Sequence, residues 1–165
     1  MDALTDPETL RDRDDVEYVE KSPEVHQHHY DLFESAAGTT IAGLTDDAGR
    51  VCLLEHEAVD LPALCYTVVD PGDDYVAGAR DIVETSTGVE ATIDDVRRVR
   101  RCTYRSEDGE ETTSHDVVFA ASPVDSTDLD PEAGHDWTAA WRDPATLDLP
   151  DEEDNDVLDD IRLFL

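Results

Sequence analysis

Basic residues are scarce in this sequence of 165 residues. Twelve Lys and Arg residues, of which only Lys21 is a lysine, stand against 43 Asp and Glu residues, and the formal net charge is -31. Proteins that bind duplex DNA gain much of their affinity from lysine and arginine on phosphates, so this composition excludes a DNA partner. An anionic membrane surface is disfavoured for the same reason, and the sequence has no run of about 18 apolar residues that could span a bilayer.

Cysteine is also rare, and the N-terminus lacks targeting features. Cys52, Cys65 and Cys102 lie in apolar surroundings and form no C-x-x-C pair. Residues Met1 to Pro7 show neither the basic region nor the apolar region of a signal peptide. We therefore expect a cytoplasmic protein with reduced, buried thiols.

High charge can indicate disorder, but the apolar content of this chain argues against it. Hydrophobic residues make up 39% of the sequence and form runs such as 51–54 and 117–121, which provide the material for one domain core. The acidic residues are spread from end to end, a composition typical of haloarchaeal proteins, whose surfaces are solvated by carboxylates.

The first half of the chain contains a hairpin signal and a helix signal. Residues 1–37 are predicted to form an acidic N-terminal extension with one edge strand at 16–19, and residues 38–165 the main domain. Strands at 39–44 and 50–55 flank an Asp-Asp-Ala-Gly turn, which predicts a hairpin. A third extended run at 61–69 ends at a Pro-Gly turn, and a helix is predicted from Asp74 to Thr85, closed by Gly88.

The second half predicts another hairpin and a last helix. Strands at 96–104 and 112–121 flank a turn with Gly109, and a helix follows near 154–165. This order predicts an α+β domain, an α/β/α sandwich with a mixed β-sheet.

Residues 38–165 resemble the Nudix hydrolase family. The family has a hairpin, then L-P-G-G-x-V-E-x-G-E, then a helix A-A-x-R-E-U-x-E-E-x-G-U, where U is aliphatic. Here Asp70-Pro71-Gly72-Asp73 fall on E-x-G-E, and Thr87-Gly88-Val89 fall on the end of the motif. Residues 137–150 resemble the strand and x-x-L-P segment before the last helix of the family. The resemblance implies a Nudix-like mixed sheet with a helix that carries the motif and a C-terminal helix.

The family's chemistry depends on carboxylates of that helix, which hold Mg²⁺ (or Mn²⁺) on a pyrophosphate and activate water. In an ungapped alignment the family's three carboxylate positions are occupied by Ile82, Thr85 and Ser86. With a shift of one residue, Asp81 and Glu84 match two of the three positions and lie at i and i+3 on one face. Both registers are compatible with the apolar stripe of the helix. The motif is degenerate in either register.

Other residues have two interpretations each. Asp73 either caps the helix or joins Asp81 and Glu84 as a metal ligand, and Asp116 is a candidate base remote from the motif. Five arginines at 97, 98, 100, 101 and 105 either clamp an anionic substrate or neutralise nearby carboxylates. Strand alternation predicts that Arg98 and Arg100 share a face with Val96. Trp137 either packs or stacks on a base.

Two functions follow from the resemblance. The first is metal-assisted hydrolysis of a nucleoside diphosphate linked to another group, with Asp81, Glu84 and Asp116 as catalytic residues and Arg98, Arg100 and Trp137 contacting a small phosphorylated or nucleotide-like ligand. The second is an inactive Nudix-fold module that binds nucleotides or has a regulatory or interaction role. Family members often form homodimers. The histidines at 26, 28 and 29 indicate an exposed turn better than a zinc site.

Overall fold

The computed structural model describes residues 1–152 and 155–165 of the chain. Its described residues form a short 3₁₀-helix at Pro7–Leu10, three α-helices and nine strands. The helices are α1 (Gln27–Phe33), α2 (Tyr75–Thr87) and α3 (Asp156–Arg162). The strands are β1 (Glu17–Glu20), β2 (Glu24–Val25), β3 (Gly38–Leu44), β4 (Val51–His56), β5 (Val59–Ala63), β6 (Cys65–Val69), β7 (Ala91–Arg105), β8 (Glu111–Pro123) and β9 (Thr138–Arg142).

The strands form two sheets. The main sheet is mixed and has the order β1-β7-β8-β3-β6, with β2 also paired to β7, and the smaller sheet has the order β5-β4-β9. Helix α2 packs on one face of the main sheet, and α3 lies on the other. The predicted α+β class with a mixed sheet is therefore confirmed. No helix in residues 1–152 and 155–165 is long and apolar enough to cross a membrane.

The predicted hairpin of residues 39–55 is wrong in its pairing. Gly49 does make the turn, with φ 81°, but β3 pairs with β6 and β8, whereas β4 joins the smaller sheet beside β5 and β9. In the described part of the chain, the only β-bridge between the two halves of the predicted hairpin pairs Thr45 with Val51. The extended run at 61–69 likewise splits into β5 and β6, one in each sheet. The sequence predicts the position of the turn, but the strand with which each segment pairs depends on tertiary packing.

Helix α2 begins and ends where its capping residues predict. The carboxylate of Asp74 accepts a hydrogen bond from the backbone N–H of Val76 at 2.9 Å, and Gly88 adopts the left-handed conformation after the last turn. The helix buries Val76, Ala79 and Val83 against the sheet. The residues on its opposite side consequently face solvent.

The second predicted hairpin, formed by β7 and β8, is confirmed. Its register shifts between Val96 and Arg98, and this irregularity overturns the predicted sharing of faces. Arg98 and Arg100 do lie on one face, towards α3. Val96 instead lies on the α2 face with Val99, because the irregularity reverses the alternation at that point.

The N-terminal residues contribute directly to the main sheet. β1 runs parallel to β7 at the sheet edge, and Leu4, Leu10 and Val16 are buried in the core on the α2 face. The last helix, predicted near 154–165, is confirmed as α3 with Asn155 as its N-cap; residue 154, the predicted start, lies outside the described residues. The predicted exposed turn at the histidines is instead helix α1. His28 is exposed, but His26 caps the helix. The rings of His26 and His29 stack, with their centroids 3.8 Å apart.

Candidate functional site

A cavity of about 410 Å³ opens on the α3 face of the main sheet. Successive side chains of a strand point to opposite faces. Ile41 and Tyr66 therefore line the cavity, whereas their neighbours Ala42 and Cys65 belong to the core under α2. Strand β5 and helix α1 supply further wall residues. The apolar and aromatic lining consists mainly of Phe33, Ile41, Leu61, Leu64, Tyr66 and Tyr104.

Four charged residues form the polar floor of this cavity: Arg100, Asp116, Asp156 and Asp160. Arg100 is almost fully buried, and its guanidinium donates to both oxygens of Asp160, with Nη1 at 3.3 Å from Oδ2. The same Nη1 lies 3.4 Å from Oδ2 of Asp116. Charged groups are buried in proteins when they are paired in this manner.

Burial and charge shift the titration of these groups. Burial raises the pKa of Asp116 to about 6, and the nearby guanidinium of Arg100 only partly opposes that effect. Burial also raises the pKa of Asp160, again against the influence of Arg100. Desolvation by itself would lower the pKa of Arg100, but the carboxylate of Asp160 outweighs it, so that the pKa is raised and Arg100 stays charged.

The predicted metal ligands lie elsewhere. Asp73 is exposed in the loop before α2, and Asp81 and Glu84 are exposed on the solvent side of that helix. Ile82, between them, is half-buried and packs against the core. None of these four residues lines the cavity, and Asp116 lies on the opposite face of the sheet from α2. The alignment register of the motif remains a prediction.

Among the described residues, no group of three or more His, Cys, Asp or Glu side chains is arranged to hold a metal ion. Mg²⁺ sites often combine one or two carboxylates with water and substrate phosphates. Binding of Mg²⁺ or Mn²⁺ by Asp73, Asp81 and Glu84 therefore stays a prediction.

The arginine cluster is occupied by ion pairs. Arg98 binds Glu17 at 2.9 Å and Asp160 at 3.1 Å, and Arg100 is held as described above. Arg97 and Arg105, which are exposed, pair with Asp95 and Glu111, and the half-buried Arg101 pairs with Glu8. These ion pairs are what the neutralisation interpretation predicts, and contact of Arg98 and Arg100 with a ligand stays a prediction. Trp137 lines the cavity, with its ring 5.3 Å from that of His56.

Several cavity residues carried only weak signals in the sequence. Asp160 is buried on α3 together with Leu158 and Ile161. A carboxylate on the apolar face of a helix indicates a buried ion pair. Tyr66 lies in the extended run predicted at 61–69, but nothing in the sequence marked it as a cavity residue. His29 gave no separate signal, because α1 was not predicted.

Comparisons with known proteins found likenesses among solved structures alone. No protein-family model and no curated protein matches the chain. A NUDIX hydrolase from Nitrosomonas europaea is similar, with 17% identity, 78% of this chain and 88% of that chain covered, and a TM-score of 0.49. A second NUDIX hydrolase from that organism has 14% identity, 67% and 60% coverage, and a TM-score of 0.45. The E. coli ORF135 protein has 15% identity, 79% and 76% coverage, and a TM-score of 0.42. Sequence identities this low identify neither the functional residues of this chain nor its ligand.

Proposed function

We propose that this chain is a Nudix-like domain that binds a small molecule in the cavity on the α3 face and does not hydrolyse pyrophosphates. One observation carries the proposal. The concave, mostly apolar site lies on the opposite side of the main sheet from the helix on which the family's chemistry depends. A cavity with apolar walls and a few convergent polar groups is the usual form of a small-molecule site.

The size and lining of the cavity suit binding. Its volume of about 410 Å³ lies in the range of ligand sites, roughly 300 to 1,000 Å³. Apolar walls supply affinity through burial, about 25 cal/mol for each Å² of apolar surface removed from water. Arg100 and Asp160 hold one another in place, so the floor is pre-organised and costs little ordering on binding.

The hydrolase interpretation is the alternative, and it makes different demands. It requires Asp81 and Glu84 to bind Mg²⁺ or Mn²⁺, and a base such as Asp116 to reach the attacking water. It also requires cations for the phosphates, and Arg98 and Arg100, which were predicted to supply them, lie on the α3 face, where carboxylates engage them. This placement weighs against a nucleotide-like substrate at α2.

Metal titration and product release together test the proposal. We expect calorimetry with Mg²⁺ and with Mn²⁺, in high KCl, to detect no specific binding. We also expect no phosphate or nucleotide release from a panel of nucleotide sugars and dinucleotides. The double variant D81N/E84Q is the matched control, since both changes preserve size and remove charge. Release that the native chain performs and the double variant does not would overturn the proposal in favour of the hydrolase.

A further inference from the structure

The rim of the cavity exposes apolar side chains. Val59, Tyr66 and Val157 line it and are 44%, 55% and 46% exposed. They lie at the mouth of an apolar cavity in a chain of which 33% is charged residues. Apolar surface gathered around a concave site marks a contact with an apolar body. The ligand should therefore carry a ring or hydrocarbon portion that these side chains cover.

The charges beneath the cavity do not cancel. Arg98, Arg100 and Lys21 are cationic, and they pair with carboxylates from β1, β8 and α3. These carboxylates belong to Glu17, Asp116, Asp156 and Asp160. Among the described residues that line the cavity, Arg100 stands against three carboxylates, those of Asp116, Asp156 and Asp160, so the lining is acidic. A phosphate or carboxylate ligand would meet like charge there, and desolvation inside the cavity would strengthen the repulsion.

Asp116 is the member of this network with the least compensation. Asp160 receives donors from both Arg98 and Arg100, and Asp156 pairs with Lys21 at 3.0 Å. The side chain of Asp116 is only 14% exposed. Its contacts, from Arg100 at 3.4 Å and from Cys102 Sγ at 3.8 Å, both go to Oδ2. Within the described part of the chain, Oδ1 of Asp116 accepts no hydrogen bond, and the partly exposed side chain lines the cavity.

We infer that the ligand is an organic monocation, an apolar or aromatic body bearing a protonated amine, and that its ammonium group binds Oδ1 of Asp116. This inference rests on the proposed binding function and adds the chemical class of the ligand. The ammonium group donates to an oxygen that has no other donor and brings positive charge to an acidic lining, and the rim covers the rest of the molecule. The exposed ring of Tyr66 at this rim suits a cation with a flat body.

The charge of the whole protein favours the same class. A net charge of -31 attracts small cations to the surface and repels anions, although high salt weakens this effect. Steering of this kind acts on the rate of association. The charge of the partly buried carboxylates in the cavity, by contrast, is screened less by salt and sets the preference at equilibrium.

Three indole compounds of nearly equal size test the class: tryptamine is a cation, tryptophol is neutral, and indole-3-acetate is an anion. We expect calorimetry at pH 8 in constant high KCl to give at least a tenfold higher affinity for tryptamine than for tryptophol, with indole-3-acetate the weakest. D116N should abolish the difference between tryptamine and tryptophol. D108N, in the exposed turn between β7 and β8, should preserve it.

The acid dependence of binding supplies a second readout. Asp116 faces Arg100, Cys102 and Tyr104 from β7, Asp156 and Asp160 from α3, and His29 from α1 across the cavity. Burial raises the pKa of Asp116 to about 6. At pH 5 about a tenth of the molecules therefore carry the carboxylate, and tryptamine should bind about tenfold more weakly than at pH 8, while tryptophol changes little.

The outcomes separate the two proposals. If tryptophol or indole-3-acetate binds as tightly as tryptamine, or if D116N keeps the preference for tryptamine, the inferred class is wrong and the binding function stands. If none of the three compounds binds, the binding function fails, and the inferred class fails with it.

Discussion

Replacing Arg100 by methionine should destabilise the protein strongly. The side chain of Arg100 is 3% exposed, and its partners Asp160 and Asp116 are 5% and 14% exposed. Methionine fills much of the same space but leaves Asp116 without its counter-ion and Asp160 with Arg98 alone. Removing one partner of a buried ion pair costs about 3 to 5 kcal/mol, a large share of the roughly 5 to 15 kcal/mol that holds a domain folded. Urea unfolding followed by circular dichroism at fixed KCl measures the loss.

Two further variants make the result specific to the buried pair. R142M breaks a pair between Arg142 and Glu55, whose side chains are 44% and 41% exposed, and it should cost about 1 kcal/mol or less. R100M/D160L removes both charges of the main pair and should be more stable than R100M alone, because the buried carboxylate of Asp160, which keeps only Arg98 in R100M, is removed as well. The reasoning is refuted if R100M loses no more than R142M, or if the double variant is no better than R100M.

Three other perturbations test separate parts of the molecule. Because burial raises the pKa of Asp116 from 3.8 to about 6, the folded protein binds a proton between pH 4 and 6 that the unfolded chain does not. This group alone should make the protein more stable by up to about 3 kcal/mol as the pH falls through that range. The difference between native and D116N urea curves at pH 7 and pH 4 isolates the effect, and a constant difference contradicts it. Gly88→Ala should cost about 1 to 3 kcal/mol in thermal unfolding, because φ is 75° and a Cβ would lie 2.6 Å from that of Asp130; an unchanged melting temperature would count against the strain. D81N/E84Q should change the free energy of unfolding by less than about 0.5 kcal/mol, since both side chains are exposed, and a larger loss in Mg²⁺ than in EDTA would instead reveal a metal site.

Local chemistry made some parts of this fold predictable. Helix α2 begins one residue after its predicted start and ends two residues after its predicted end. The prediction was this close because Asp74 and Gly88 each satisfy backbone groups at a helix terminus. The turn at Gly109 likewise gave the β7–β8 hairpin, since glycine accommodates its φ of 88° at no cost. Signals of this kind lie within a few residues and need no knowledge of the rest of the chain.

Pairing over long distances was not predictable in the same way. β3 lies beside β8, more than 70 residues away, and the Arg100–Asp160 pair joins residues 60 positions apart. With 43 acidic residues in the sequence, nothing marked Asp160 as the partner of Arg100. The irregularity after Val96 also reversed a strand alternation that the sequence predicted as regular. Asp116, by contrast, was singled out from the sequence as a candidate, and the structure places it in the cavity.

The central claim is that the cavity on the α3 face, and not the solvent side of α2, is where this protein binds its ligand. Amide chemical shifts recorded by NMR during a titration with tryptamine, at pH 8 in high KCl, test it most directly. We predict shifts that saturate at Tyr66, Tyr104 and Asp116, with the amides of Asp81 and Glu84 unmoved. Shifts confined to Asp81 and Glu84, or no saturable shift at the cavity residues, would contradict the account.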